Sequence, residues 1–203
     1  LEVKKGDIVE IRRRVEGVEG VEGVEGVEGV EGVEGVEGVE EGAGRDVISD
    51  DLLIKHTTPE AYSPTDGTVI GTHNGAHFFT NGQRKGISIG GYEKPLFVIA
   101  TDVERNILYV GEGPSHPGLY RKGLFIRKDE VHWVRPDLAM QDGGNREYMV
   151  RIRYRQPLQK AELFLRKDGL YIIFNKLQRG ITSGQFAAWY DGDEVIGSGV
   201  INR

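Results

Sequence analysis

Ala161-Glu162-Leu163-Phe164-Leu165, the turn residues Lys167-Asp168-Gly169, and Leu170-Tyr171-Ile172-Ile173-Phe174 decide the fold class. Two apolar runs rich in β-branched and aromatic residues flank a polar turn that ends in glycine. That is the composition of a β-hairpin. The same grammar extends outward in both directions. Phe186 to Tyr190 and Val195 to Ile201 flank Asp191-Gly192-Asp193, and Tyr148 to Tyr154 alternates. Upstream, Gly123 to Ile126, Val131 to Val134, Ile107 to Val110, Phe97 to Thr101 and Val69-Ile70 read as short strands. Turn residues lie between them, including Pro64-Thr65-Asp66-Gly67, His73-Asn74-Gly75 and Glu104-Arg105-Asn106. Many short strands at hairpin spacing predict a mainly β protein built of antiparallel barrels or sandwiches.

The N-terminal third is different. Val3 to Ile11 reads as a strand interrupted by a turn at Lys5-Gly6-Asp7. Residues 15–38 repeat Val-Glu-Gly eight times and run into Val39-Glu40-Glu41-Gly42. A period of three fits neither an amphipathic helix nor a half-buried strand. Glycine at every third position costs a helix roughly 1 kcal/mol per residue relative to alanine. We expect an acidic, low-complexity, flexible excursion. A site for a basic partner and an artefact of the sequence both stay open. Ser49-Asp50-Asp51-Leu52 has the pattern of a helix cap.

The repeat also distorts the charge balance. The 203 residues carry 26 Lys and Arg, 32 Asp and Glu, and a net charge of -6. Ten of the glutamates lie within 15–42, so 26 cations face 22 acids elsewhere, a net +4. A mildly basic body permits RNA binding without requiring it. The chain has no cysteine, which excludes disulfides, thiolate metal sites and cysteine nucleophiles. No apolar run approaches membrane-spanning length and nothing resembles a signal peptide. The expected location is the cytoplasm.

Catalytic constellations are not evident. Ser115-His116 and Ser183 lack a nucleophile-elbow context. His73 and His77 have helical metal-ligand spacing, but Asn74-Gly75 between them argues for a turn and no third ligand accompanies them. No catalytic and no metal-ligating residue is assigned. Two basic segments stand out instead. Gly82-Gln83-Arg84-Lys85-Gly86 reads as an exposed basic turn entering a strand at Ile87-Ser88-Ile89. It lacks the spacing of a phosphate-binding Walker loop. Arg151, Arg153 and Arg155, if extended, share one face of a strand, with Ile152, Tyr154 and Gln156 on the other. Three guanidiniums suit a phosphate backbone, and a tyrosine ring can stack on a base. A solvated strand face with Tyr154 in the core is the competing reading.

Taken in order, Gly82-Gln83-Arg84-Lys85-Gly86, Tyr109-Val110-Gly111-Glu112-Gly113, His116-Pro117, Val131-His132-Trp133-Val134, Arg153-Tyr154-Arg155-Gln156-Pro157 and Thr182-Ser183-Gly184-Gln185 closely resemble the C-terminal half of the bacterial tRNA-specific 2-thiouridylase (MnmA/TrmU) family. The resemblance covers about residues 66–202. It implies a central β domain at 1–117, carrying the Val-Glu-Gly insertion at 15–42, and an elongation-factor-like antiparallel β-barrel at 118–203. It implies that Arg153, Tyr154 and Gln185 contact tRNA; the charge of the exposed basic turn adds Arg84 and Lys85 as helping contacts. Asn81 departs from the apolar residue usual before the basic turn.

The family's ATP-binding glycine-rich loop and its two cysteines have no counterpart here. The resemblance therefore implies a tRNA-binding portion with no cofactor of its own. ATP and a sulfur-donor protein would serve the full-length enzyme, which thiolates the wobble uridine of glutamate, glutamine and lysine tRNAs. No DNA and no membrane partner is expected. A stand-alone translation-factor-like RNA-binding barrel and a fragment without activity of its own are the alternatives.

Overall fold

The computed structural model describes residues 5–12 and 48–203. The Val-Glu-Gly expectation lies outside the described residues. Strands β1 (Gly6–Glu10), β2 (Thr68–His73), β3 (Leu96–Asp102) and β4 (Ile107–Glu112) form a four-stranded sheet in the order β2-β1-β4-β3. Strands β5 (Tyr120–Arg127), β6 (Val131–Trp133), β7 (Asn145–Arg151), β8 (Gln159–Leu165), β9 (Gly169–Arg179), β10 (Phe186–Asp191) and β11 (Glu194–Val200) form a seven-stranded sheet in the order β5-β9-β8-β7-β10-β11-β6.

The 161–174 hairpin is as read. Leu165 pairs with Leu170, and Arg166 and Gly169 exchange backbone hydrogen bonds of 2.8 and 3.2 Å across the turn. Alternation then decides burial. Ala161, Leu163, Leu165, Leu170, Ile172 and Phe174 point into one core with Leu124, Ile126, Val150, Trp189 and Ile196. The sheet curls so that the chain after β11 reaches β5. The Asn202 N–H donates to the Phe125 carbonyl at 2.9 Å, and the Phe125 N–H donates to the Arg203 carbonyl at 2.8 Å. These bonds engage the β5 edge at Phe125, where it would otherwise be free to pair with another chain.

The small sheet buries both faces. Val9, Phe97, Ile99, Ile107 and Tyr109 pack on one side with Leu119. Ile8, Leu96, Val98, Leu108 and Val110 pack on the other under Ile87, Ile89, Phe79 and Tyr92. Three readings of this region are corrected. Lys5-Gly6-Asp7 is not a turn: Gly6 and Asp7 already belong to β1, opposite His73 and Thr72. β1 pairs with β4 in parallel, a long-range match that hairpin spacing does not announce. The segment after the basic turn is not a strand. Positive φ at Gly86, Ser88 and Gly91 (92°, 52° and 90°) breaks the extended backbone. Ile87 and Ile89 instead cover the sheet as a loop.

Between β1 and β2 the chain forms helix α1 (Asp50–Thr57). The Ser49 hydroxyl caps it by accepting the Leu52 N–H at 3.3 Å, as the sequence pattern predicts. At the other end Thr57 and Thr58 hydroxyls take up Leu53 and Ile54 carbonyls, and Pro59 follows. Although α1 precedes three strands of the small sheet, it packs on the large one. Leu53 is fully buried against Phe125, Phe164, Tyr171 and Ile173. The helix crosses β5 at Gly123, where a Cβ would meet the Ile172 carbonyl at 2.7 Å and Thr57 Cγ2 at 3.1 Å. Arg166 Nε donates to Asp50 Oδ1 at 2.7 Å and fixes the helix start.

Candidate nucleic-acid interface

The alternating pattern predicts a strand through Tyr154, but β7 ends at Arg151. Local hydrogen bonds compete with the ladder beyond it. The Ile152 N–H donates to Gln156 Oε1 at 3.4 Å, the Gln156 N–H donates to the Arg153 carbonyl at 3.1 Å, and Arg151 Nη1 donates to the Tyr154 carbonyl at 3.2 Å. The result is a turn. Arg151, Arg153 and Arg155 therefore do not share a strand face. Ile152 is buried in the core, while Tyr154 is 88% exposed. Its ring is not a core residue.

Arg153 is exposed, yet its Nη2 donates to the Gly180 carbonyl at 2.7 Å. This braces the β7–β8 turn against the β9–β10 loop. A Cβ on Gly180 would meet that Nη2 at 2.5 Å. Gln185 closes the same loop. Its N–H donates to the Thr182 carbonyl at 3.3 Å and its carbonyl accepts the Ile201 N–H at 2.7 Å. Its side-chain oxygen is buried without a hydrogen-bond partner among the described residues. The structure thus brings Arg153, Tyr154 and Gln185 to one end of the large sheet. Phe186 belongs there too and was not singled out from the sequence. It is 65% exposed. Ala188 pairs with Arg151, so Phe186 lies at the level of Arg153 in the register.

The basic turn is built differently. The Gly82 N–H donates to the Val98 carbonyl at 2.7 Å and the Val98 N–H returns to the Gln83 carbonyl at 2.9 Å, docking the turn on β3. Gln83 holds the loop from inside: its Oε1 accepts the Thr80 N–H at 3.2 Å and its Nε2 donates to the Lys85 carbonyl at 2.8 Å. Arg84 and Lys85 project into solvent. A cleft of about 80 Å³ joins the two regions. Asn81 and Gly82 line it from the small sheet, Gly180 and Ile181 from the large one, with Tyr62 and Arg121 between. It is far below the roughly 300 Å³ of a small-molecule pocket.

Burial, then the neighbouring Glu60 carboxylate, raises the Tyr62 phenol well above its ordinary value. The Arg121 guanidinium is half-buried, and its Nη1 and Nη2 donate to the Thr57 and Ile181 carbonyls at 3.3 and 2.9 Å. Burial alone lowers it to about 10. The basic Tyr120-Arg121-Lys122 run is its sole signature in the sequence.

Two of the histidines, His73 and His116, are structural. His73 is buried and its Nδ1 accepts the Gly75 N–H at 3.0 Å. His116 is buried, with Nδ1 accepting the Gly118 N–H and Nε2 facing the Ile11 carbonyl at 3.1 Å. Among the described residues no group of three or more His, Cys, Asp or Glu is arranged to hold a metal. Among the same residues no helix is long and apolar enough to cross a membrane.

Comparison with known proteins adds a second line of findings. Residues 54–112 match the family described as tRNA methyl transferase PRC-barrel domain, and residues 124–201 the one described as aminomethyltransferase beta-barrel domain. The tRNA-specific 2-thiouridylase MnmA of Christiangramia forsetii is 57% identical over 141 residues, 70% of this chain and 36% of that protein. The Flavobacterium johnsoniae protein of the same name is 55% identical over the same shares. That of Halalkalibacterium halodurans is 43% identical over 146 residues, 71% of this chain and 38% of the relative. The chain thus spans little more than a third of the length of the relatives it matches.

Proposed function

The chain belongs to the tRNA-specific 2-thiouridylase family, and from that membership we propose that its two sheets hold tRNA for wobble-uridine thiolation. Arg153, Tyr154 and Gln185 form the principal contact, and Arg84 and Lys85 a second one across the cleft. The observation that carries this reading is the Arg153-Tyr154 turn. A guanidinium braced on the Gly180 carbonyl sits beside a tyrosine ring that is almost wholly exposed. Leaving an aromatic ring in water is unrewarded in a fold and useful in stacking on a base. The bracing of Arg153 means that little freedom of that side chain is lost when RNA binds.

The division into a central domain ending near residue 117 and a barrel from 118 belongs to the same proposal. Placing the anticodon arm correctly is the chain's share of catalysis, through proximity and orientation. These 203 residues hold no cysteine. We therefore assign the ATP-dependent activation and the sulfur-carrying step to residues other than these, served by a sulfur-donor protein in the cytoplasm.

Titrating fluorescently labelled, unmodified glutamate tRNA with the 203-residue chain at rising salt tests the proposal. Affinity should fall log-linearly with salt as phosphate contacts release counterions. Absence of binding at low salt would overturn the reading, as would binding indifferent to salt. The same chain supplied with ATP and a sulfur donor should form no 2-thiouridine. Product above a no-protein control contradicts the assignment of that step elsewhere.

A further inference from the structure

We infer that Arg121 is an additional phosphate contact, taking a phosphodiester of tRNA into the cleft between the two sheets. The inference rests on the tRNA reading above and extends it to a residue outside the two basic turns. Several observations carry it. Arg121 is the cation among the residues lining the cleft. It makes no ion pair among the described residues, although nine such pairs occur elsewhere in the structure. The acid in the lining, Glu60, accepts from the Tyr62 hydroxyl at 3.0 Å instead. A half-buried charge without a counter-charge is costly, and a guanidinium carries five donors of which two are used here. Three backbone donors in the cleft are occupied. The N–H groups of Gly82, Gly118 and Gly180 go to the Val98 carbonyl, His116 Nδ1 and the Leu119 carbonyl.

The cleft's size and place point the same way. At about 80 Å³ it has the room of two or three waters, enough for a phosphate group and too little for a nucleoside. Its walls are the starts of the two loops that carry the other proposed contacts: Asn81 and Gly82 precede Arg84 and Lys85, and Gly180 braces Arg153. A backbone running from one basic turn to the other passes this opening. A guanidinium suits a phosphate's paired oxygens better than an ammonium does. The competing role is a strut that only ties the end of α1 to the β9–β10 loop.

Arg121→Gln and Arg121→Lys separate the two. Glutamine keeps an amide donor for the backbone carbonyls and drops the charge; lysine keeps the charge. Labelled tRNA is titrated against each folded variant between low and moderate salt, and melting is followed on the same samples. The expected result is a salt slope smaller by about one for Arg121→Gln and close to the parent's for Arg121→Lys. A parental slope in Arg121→Gln, with Arg153→Ala weakened, overturns the Arg121 contact and spares the tRNA reading. Equal loss of slope in both variants, tracking an equal loss of melting temperature, shows a strut and also overturns it. Absence of tRNA binding by the parent chain defeats the tRNA reading itself, and with it the phosphodiester. Inorganic phosphate is the control for source. A rise in parent melting temperature that Arg121→Gln abolishes, without any tRNA effect, reassigns the site to free phosphate and overturns the phosphodiester.

Discussion

The two sheets solve one problem in opposite ways. The seven-stranded sheet gathers its alternating residues into a single core by curling and lets its C-terminal residues close the edge. The four-stranded sheet cannot curl enough to bury itself. It covers one face with the 79–92 loop and the other with Tyr62, Leu119 and Tyr120. In the large sheet the hairpins β7–β8, β8–β9 and β10–β11 are encoded locally, while β5–β9, β7–β10 and β6–β11 pair across long stretches of chain. The small one depends on segments whose sequence looks like loop. Helix α1 complicates the contrast, because a segment placed between two strands of the small sheet completes the outer face of the large one. Functional side chains collect where the two strategies meet, at the cleft and its flanking turns.

Trp189→Ala strikes the self-contained core hardest. Trp189 is fully buried and stacks edge-on against Trp133 at 5.3 Å. The loss should be about 3–5 kcal/mol by denaturant titration. A cost no larger than that of a surface substitution would break the picture of a single cooperative core. Leu53→Ala should follow at about 2–5 kcal/mol. Amide exchange in that variant should quicken in β5 and β9 rather than in β1 and β4. Faster exchange confined to the small sheet would show that α1 belongs to it.

A smaller effect sharpens the comparison through pH. Burial, then the Asp168 hydrogen bond and charge, pushes the Tyr171 phenol from 10 up to about 12 in the large sheet. Tyr62, on the small one, is raised by burial and Glu60. A raised folded value means that the contribution is complete below about pH 10 and is lost as pH climbs toward 12. Stability should fall across that window. Tyr171→Phe and Tyr62→Phe should each flatten part of the fall, and an unchanged profile in both would contradict the linkage.

The hairpins at 161–174 and 186–201 were legible because period-two alternation and turn residues are local signals. The parallel β1–β4 pair was not, since no neighbouring residue specifies it. Alternation misled at 152–155: Ile152 is core, but Gln156 and Arg151 capture the backbone into a turn. Arg153 and Tyr154 therefore lie in a turn and not on a strand. Arg121 and Phe186 were passed over because each sits in an ordinary strand pattern, and only long-range packing leaves one uncompensated and the other exposed.

Tyr154→Ala is the most direct test of the central claim that the Arg153-Tyr154 turn serves RNA and not the fold. Melting temperature and tRNA affinity are measured on the same protein, with Tyr154→Phe as the conservative partner. With the ring exposed, Tyr154→Ala should melt like the parent while losing roughly 1–3 kcal/mol of tRNA binding, and Tyr154→Phe should keep most of it. Parental affinity in a folded Tyr154→Ala protein, or a fall in melting temperature that accounts for the lost binding, would contradict the account.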